Sequence, residues 1–254
     1  MTAPNETAAD RGAGVSIVIP ARDEAGSIER LIDEIAGMLE GSTAYQVIVV
    51  DDGSVDGTDA VLLRLLTTRP WLRALRHEMS CGKSAALRTG VMAAEYRNIV
   101  TLDGDGQNDP AYIAPLLAAL VSDERVALVA GQRTRRGDSG WKKFQSRIGN
   151  WVRGALLKDG TRDSVCGLKA FRREVFLALP YFDTMHRFLP ALVRREGYEI
   201  RHVDVVDRPR EHGRSHYGMW DRLLIGIPDL AGVWWLVRRR RRVPQVSEVT
   251  RNAD

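Results

Sequence analysis

Short, largely apolar runs alternate along the first half of the chain with stretches in which apolar residues recur every three or four positions. Polar residues collect where each run stops. Residues 15–20 form the first run and are followed by Glu29, Arg30, Leu31, Ile32, Ile35 and Leu39 at helical spacing, which predicts a strand, a loop and a helix. Residues 45–50 predict a second strand ending in Asp51-Asp52-Gly53-Ser54, and residues 59–66 a second helix. Residues 98–102 run into Asp103-Gly104-Asp105, and residues 126–130 into Gly131-Gln132-Arg133. Runs without internal alternation suit strands buried on both faces. Their alternation with helices predicts an α/β fold with a mostly parallel central sheet, whose ligands bind outside the carboxyl ends of the strands.

After about residue 140 the pattern loosens into helical stretches rich in Arg and Lys, then a strand over 199–206. Beyond Tyr217, a helical stripe of Trp220, Leu223, Leu224, Ile227, Leu230, Trp234 and Val237 precedes five arginines, Arg238 to Arg242. With 254 residues, 44% of them hydrophobic, the chain can bury one sizeable core. The expected division is a flexible lead-in over 1–14, one domain over 15–217, an amphipathic helix with its arginine cluster over 218–242, and a flexible tail over 243–254.

Charge changes this picture only at the tail. The formal net charge is +4, and residues 238–254 hold six Arg against one Glu and one Asp, so the preceding residues sum to zero. A local excess argues against a nucleic-acid face and for contact with an anionic membrane surface. Residues 223–237 would reach about 22 Å as a helix, with Pro228 and Asp229 inside. That is too short for about 30 Å of hydrocarbon. Paired Trp234 and Trp235 beside the arginines suit a helix lying in the headgroup layer; packing on the domain or on a partner subunit is the alternative. Cys81 and Cys166 stand alone without metal-ligand spacing, and no signal peptide is evident, so a peripheral place on the cytoplasmic face of a membrane is expected.

Asp103-Gly104-Asp105-Gly106-Gln107 carries the strongest chemical signal. Two carboxylates one residue apart at a strand end can hold a hard cation such as Mg²⁺ or Mn²⁺ and, through it, a diphosphate. An Asp/Gly turn is the competing explanation, and it competes equally at Asp51-Asp52-Gly53-Ser54. Two such pairs on one parallel sheet favour a site. Asp52 would accept hydrogen bonds from a base or ribose, with Glu24 on the same rim. Gly82-Lys83-Ser84 suggests a phosphate loop, but His77 stands where that pattern requires glycine.

Taken in order, Ile19-Pro20-Ala21-Arg22-Asp23-Glu24, residues 49–58, Lys83 and residues 103–107 closely resemble the family 2 glycosyltransferases, and within them the dolichyl- and polyprenyl-phosphate sugar (mannose) synthases. The resemblance runs from about Val15 to Tyr217. It implies a GT-A fold and inverting transfer of a sugar from GDP-mannose or a UDP-sugar to a polyprenyl phosphate. It implies that Pro20, Arg22, Glu24, Asp52, Lys83, Asp103, Gly104 and Asp105 bind the donor. Asp103, Asp105 and Gln107 would hold the metal, with Asp105 the critical catalytic group. Arg133, Lys142, Lys143, Ser146, Arg147, Arg210, Ser215 and His216 would meet the acceptor phosphate, over a loop formed by residues 163–171. Arg22-Asp23 replace the family's aromatic and asparagine, His216 replaces a lysine, and the membrane spans of some relatives have no counterpart here.

Arginines suit such an acceptor because bidentate guanidinium contacts both neutralise and orient a phosphate monoester. That phosphate is ionised at neutral pH and needs no general base, whereas a sugar hydroxyl does. Transfer to a glycan hydroxyl is therefore the alternative activity. A phosphatase with Asp103 as nucleophile is a remote one, which leaves the Asp52 pair unexplained. Oligomerisation with further copies of the chain is compatible with either transferase reading.

Overall fold

A computed structural model of the chain describes residues 14–135, 153–209 and 219–239, and the side chains of all of these except 135 and 219–226. The four expected strands are β1 (Val15–Ala21), β2 (Tyr45–Asp51), β4 (Asn98–Thr101) and β5 (Val126–Arg135), and the later one is β7 (Glu199–Val206). Two further strands join them, β3 (Leu72–Arg76) and β6 (Lys169–Arg172). They form one sheet in the order β3-β2-β1-β4-β6-β5-β7. Every neighbouring pair is parallel except the two that involve β6.

Period-two alternation distributes the strand residues between two apolar layers. Ile17, Ile19, Val47 and Val49 face α1 (Ile28–Leu39), α2 (Thr58–Leu66) and α4 (Ile113–Val121). Val18, Ile48 and Val50 face α3 (Lys83–Ala93), and the same layer continues under α5 (Arg173–Ala178) and α6 (Leu189–Arg195). Gly90 lets α3 settle directly on Val18, because a Cβ there would overlap the valine side chain. Burying both faces of four strands is what allows these runs to be continuously apolar.

The final helix, α7 (Met219–Arg238), lies within the expected span 218–242 and contains Pro228. Among its described side chains, Val233 is buried in the second layer, and Leu230, Trp234, Leu236 and Val237 pack against it. Part of the stripe therefore covers the domain, and Ile227 (62% exposed) and Trp235 (55%) remain outside. Among the described residues, no helix is long and apolar enough to cross a membrane.

Chain order places a crevice at β1. Its neighbours are β2 on one side and β4 on the other, so the sheet changes direction of growth there and the loops that follow these strands diverge. Residues 20–24, 51–54 and 102–107 all leave the sheet at that edge.

Candidate active site

β4 ends at Thr101, and Leu102 N–H still bonds to the Val18 carbonyl (3.3 Å), which aims Asp103 and Asp105 over the end of β1. Gly104 eases this approach, since a Cβ would press on Ala21 and the Pro20 carbonyl, and Ser27 donates its hydroxyl to the Gly104 carbonyl (2.8 Å). Gly106 closes the turn at φ +71, where L-residues are strained. Asp103 N–H donates to the Asn108 side chain (2.9 Å), and Gln107 N–H donates to Asp105 Oδ1 (3.1 Å). The Gln107 amide donates to the Arg208 carbonyl, tying the turn to the segment after β7.

The Lys83 ammonium, on the first residue of α3, bonds to Asp103 Oδ1. Burial pushes the Asp103 carboxyl up, but Lys83, Lys169 and Arg133 outweigh it and hold the group ionised below its ordinary range. Asp105 is only 7% exposed. This donor set is hard oxygen, one of its carboxylates already carries a cation, and the loop is pinned at both ends. It fits Mg²⁺ or Mn²⁺.

Asp52 is buried, and its four acceptor positions are filled by residues 77–82. Oδ1 is 2.7 Å from His77 Nδ1 and accepts Cys81 N–H (2.8 Å); Oδ2 accepts from Ser80 Oγ (2.7 Å) and Gly82 N–H (2.9 Å). The expected partner of this carboxylate is a base or ribose. In the structure it organises the loop that delivers Lys83. Arg22 reaches the same loop at Ser80 Oγ (3.0 Å), while Glu24 accepts from Ser27 and its carbonyl starts α1. Burial pushes the Asp52 carboxyl up, but bonds from Cys81, His77, Ser80 and Gly82 prevail and its pKa is lowered. Asp52→Asn turns two of the four acceptor positions into donors and is expected to cost about 2–4 kcal/mol of stability at pH 7. A depressed folded-state pKa contributes stability above the unfolded value of about 4 and loses it as pH falls through the folded one. The melting-temperature gap between the two proteins should therefore close below about pH 4, which a calorimetric pH series reads directly.

Arg133 leaves β5 toward the same crevice. Its guanidinium makes a bidentate pair with Asp163 (2.6 and 3.1 Å) and meets Asp207 at 3.2 Å, and these carboxylates raise its pKa although burial opposes them. Among the described residues three of its five N–H donors are thus engaged. Burial raises the Asp207 carboxyl. The expected loop over 163–171 is in part a strand, since residues 169–171 belong to β6, and the segment holds two groups missed in the sequence. Gly167 lies under Asp103 so closely that a Cβ would overlap the whole carboxylate, and Lys169 is buried beside it. A glycine before a strand carries no chemical signal, and a lone lysine reads as solvated. Lys142, Lys143, Ser146, Arg147, Arg210, Ser215 and His216 lie outside the described residues.

Known proteins are similar to this chain in sequence and in fold. Residues 16–179 match the family model described as glycosyl transferase family 2. The dodecaprenyl-phosphate galacturonate synthase of Rhizobium johnstonii is 32% identical over 233 residues, covering 90% of this chain and 68% of that protein. The undecaprenyl-phosphate 4-deoxy-4-formamido-L-arabinose transferase of Edwardsiella ictaluri is 31% identical over 208 residues, 81% of this chain and 63% of its own length. The chain thus spans about two thirds of these relatives. In fold it is similar to glucosyl-3-phosphoglycerate synthase of Mycobacterium tuberculosis, solved with Mn²⁺, UDP and glucosyl-3-phosphoglycerate, at a TM-score of 0.67 and 21% identity over 93% of this chain and 86% of that one. Its GT-A-type sheet, the carboxylates at the ends of β2 and β4, and the match over 16–179 lead to one conclusion: this chain belongs to glycosyl transferase family 2.

Proposed function

We propose that the protein transfers a sugar, with inversion, from a nucleotide-sugar donor to the phosphate of a polyprenyl phosphate. The observation that carries this reading is the meeting of Asp103 with Lys83, Lys169 and Arg133 at one sheet edge, with the buried Asp105 in the same turn. The carboxylates suit a cation on a diphosphate leaving group, and the cationic side chains suit a second, anionic reactant. Both named relatives pair a polyprenyl phosphate with a sugar, which supports the same acceptor class.

Asp103 and Asp105 would hold Mg²⁺ or Mn²⁺, with Gln107 adjacent; the ion, when bound, stabilises the departing diphosphate as a Lewis acid. Lys83 neutralises charge on the donor. Asp52, through the 77–82 loop, fixes where Lys83 starts from. Arg133, held by Asp163 and Asp207, presents its guanidinium to the acceptor, alongside Lys142, Lys143, Ser146, Arg147, Arg210, Ser215 and His216. An acceptor series tests this directly: polyprenyl phosphate, the parent alcohol and a soluble oligosaccharide, each offered with the same donor. Transfer to the phosphate alone is expected, and transfer to either hydroxyl would put the glycan-acceptor reading in its place.

An acceptor of this kind lies in a membrane, and α7 supplies a means of contact. Ile227 and Trp235 are exposed, and Arg238 and Arg239 stack over Trp234 (3.9 Å) and Trp235 (4.9 Å). Such a surface suits the headgroup layer of an anionic leaflet, and two free thiols suit the cytoplasmic side. Since the inner face of α7 covers the domain, point changes test this better than removal of the helix. The double variant Ile227→Glu, Trp235→Glu is expected to bind anionic vesicles at least about tenfold more weakly at an unchanged melting temperature. Undiminished vesicle binding would discard α7 as the contact.

A further inference from the structure

Lys169 opens β6 at the edge where β4 and β5 deliver Asp103 and Arg133. It is 4% exposed. An ammonium has three donors; one meets the Cys166 carbonyl, and the described residues offer the group no other hydrogen-bond partner. The carboxylates whose fields reach it are committed elsewhere. Asp103 is bonded by Lys83, and Asp163 is gripped in bidentate fashion by Arg133. Burial, reinforced by Lys83, lowers its pKa to about 8 even with those carboxylates near.

A buried cation whose neighbouring anions belong to other cations weakens the fold that contains it. A lysine there for packing alone would be served better by methionine, which fills the same volume without charge. Groups of this kind belong at sites where an incoming ligand completes them. The ligand must be anionic, must offer acceptor oxygens, and must arrive beside Asp103. We propose that Lys169 binds a phosphoryl oxyanion at the reaction centre, supplied by the donor diphosphate or by the acceptor phosphate monoester. The assignment rests on the transferase reading above for the identity of those two molecules, and on Lys169 itself for the need of an anion.

The test uses the full chain, Lys169→Met and Lys169→Arg. Binding of pyrophosphate with Mn²⁺, and of a short water-soluble prenyl phosphate, is measured by titration calorimetry, and melting temperature is read in anion-free buffer. Lys169→Met should bind one of the two anions at least about tenfold more weakly, with Lys169→Arg within about threefold of the unaltered protein. The arm that weakens identifies the source. Without anions Lys169→Met should melt no lower than the unaltered protein, an outcome that a packing role does not give. The assignment is overturned if Lys169→Met binds both anions normally, if the unaltered protein binds neither, or if the weakening comes with a lower anion-free melting temperature. Sugar transfer by the unaltered chain is followed alongside: its absence beside an intact tenfold effect removes the transferase reading and leaves the anion site standing.

Discussion

Asp105→Ala is expected to lower the rate of sugar transfer by about a hundred- to a thousandfold while the protein stays folded. The carboxylate belongs to a turn held by other bonds, Asp103 N–H to Asn108, Gly104 carbonyl to Ser27 and Gln107 to Arg208, so its removal leaves the loop anchored on three sides. What would be lost is a carboxylate, only 7% exposed, that is proposed to hold a divalent cation with Asp103. Each factor of ten in rate corresponds to about 1.4 kcal/mol of transition-state stabilisation, so the expected loss is about 3–4 kcal/mol. Single-turnover transfer under saturating donor, with circular dichroism as the control for folding, measures it. A drop of less than about tenfold would take Asp105 out of the catalytic role.

Gly167→Ala should be almost as damaging, although it adds one methyl group and touches no substrate. The new Cβ would overlap the Asp103 carboxylate, which is simultaneously held by Lys83. Something must move, and the carboxylate is the freest member of the contact. A displacement of about 1 Å in a positioned group can cost about a hundredfold in rate. The accompanying overpacking costs about 1–3 kcal/mol, a melting-temperature fall of a few degrees in a chain of this size. Gly37→Ala in α1 is the internal control. No atom lies within 4 Å of a Cβ there, so it should leave transfer unchanged and, if anything, raise the melting temperature. Equal activity losses in both variants would mean that Gly167 has no particular relation to Asp103.

Much of this architecture can be read from the chain because burial on both faces imposes a pattern that few other structures share. β1, β2 and β4 are such runs, and the polar residues that stop them are the ones that meet at the crevice. β3 escapes the pattern because it is an edge strand, with Arg73 and Arg76 reaching solvent and ion pairs. β6 escapes it for the opposite reason. Lys169 and Arg172 look like surface residues, yet both are buried, and Arg172 donates to the carbonyls of Val126 and Asp123. Buried charged residues leave no trace in a hydrophobic pattern.

The site divides along the same line. Asp52, Asp103 and Asp105 announce themselves by spacing and by position at strand ends, and Lys83 enters through the family resemblance. The groups that hold them do not, because each comes from a distant part of the chain: His77 and Ser80 for Asp52, Gly167 for Asp103, Asp163 and Asp207 for Arg133. In α7 the periodicity indicates an apolar face. It could not indicate what covers that face, and the domain covers part of it through Val233 and its neighbours.

Transfer of a sugar to a lipid phosphate at the Asp103 and Asp105 edge is tested most directly by one measurement. The purified protein is incubated with a panel of radiolabelled nucleotide sugars, polyprenyl phosphate and Mn²⁺ or Mg²⁺, and label is counted in the organic phase. Label from one donor, abolished by a chelator and by Asp105→Ala, is the predicted result and names the sugar. Label that never leaves the aqueous phase with any donor, while nucleotide is released in the presence of a glycan, would contradict it.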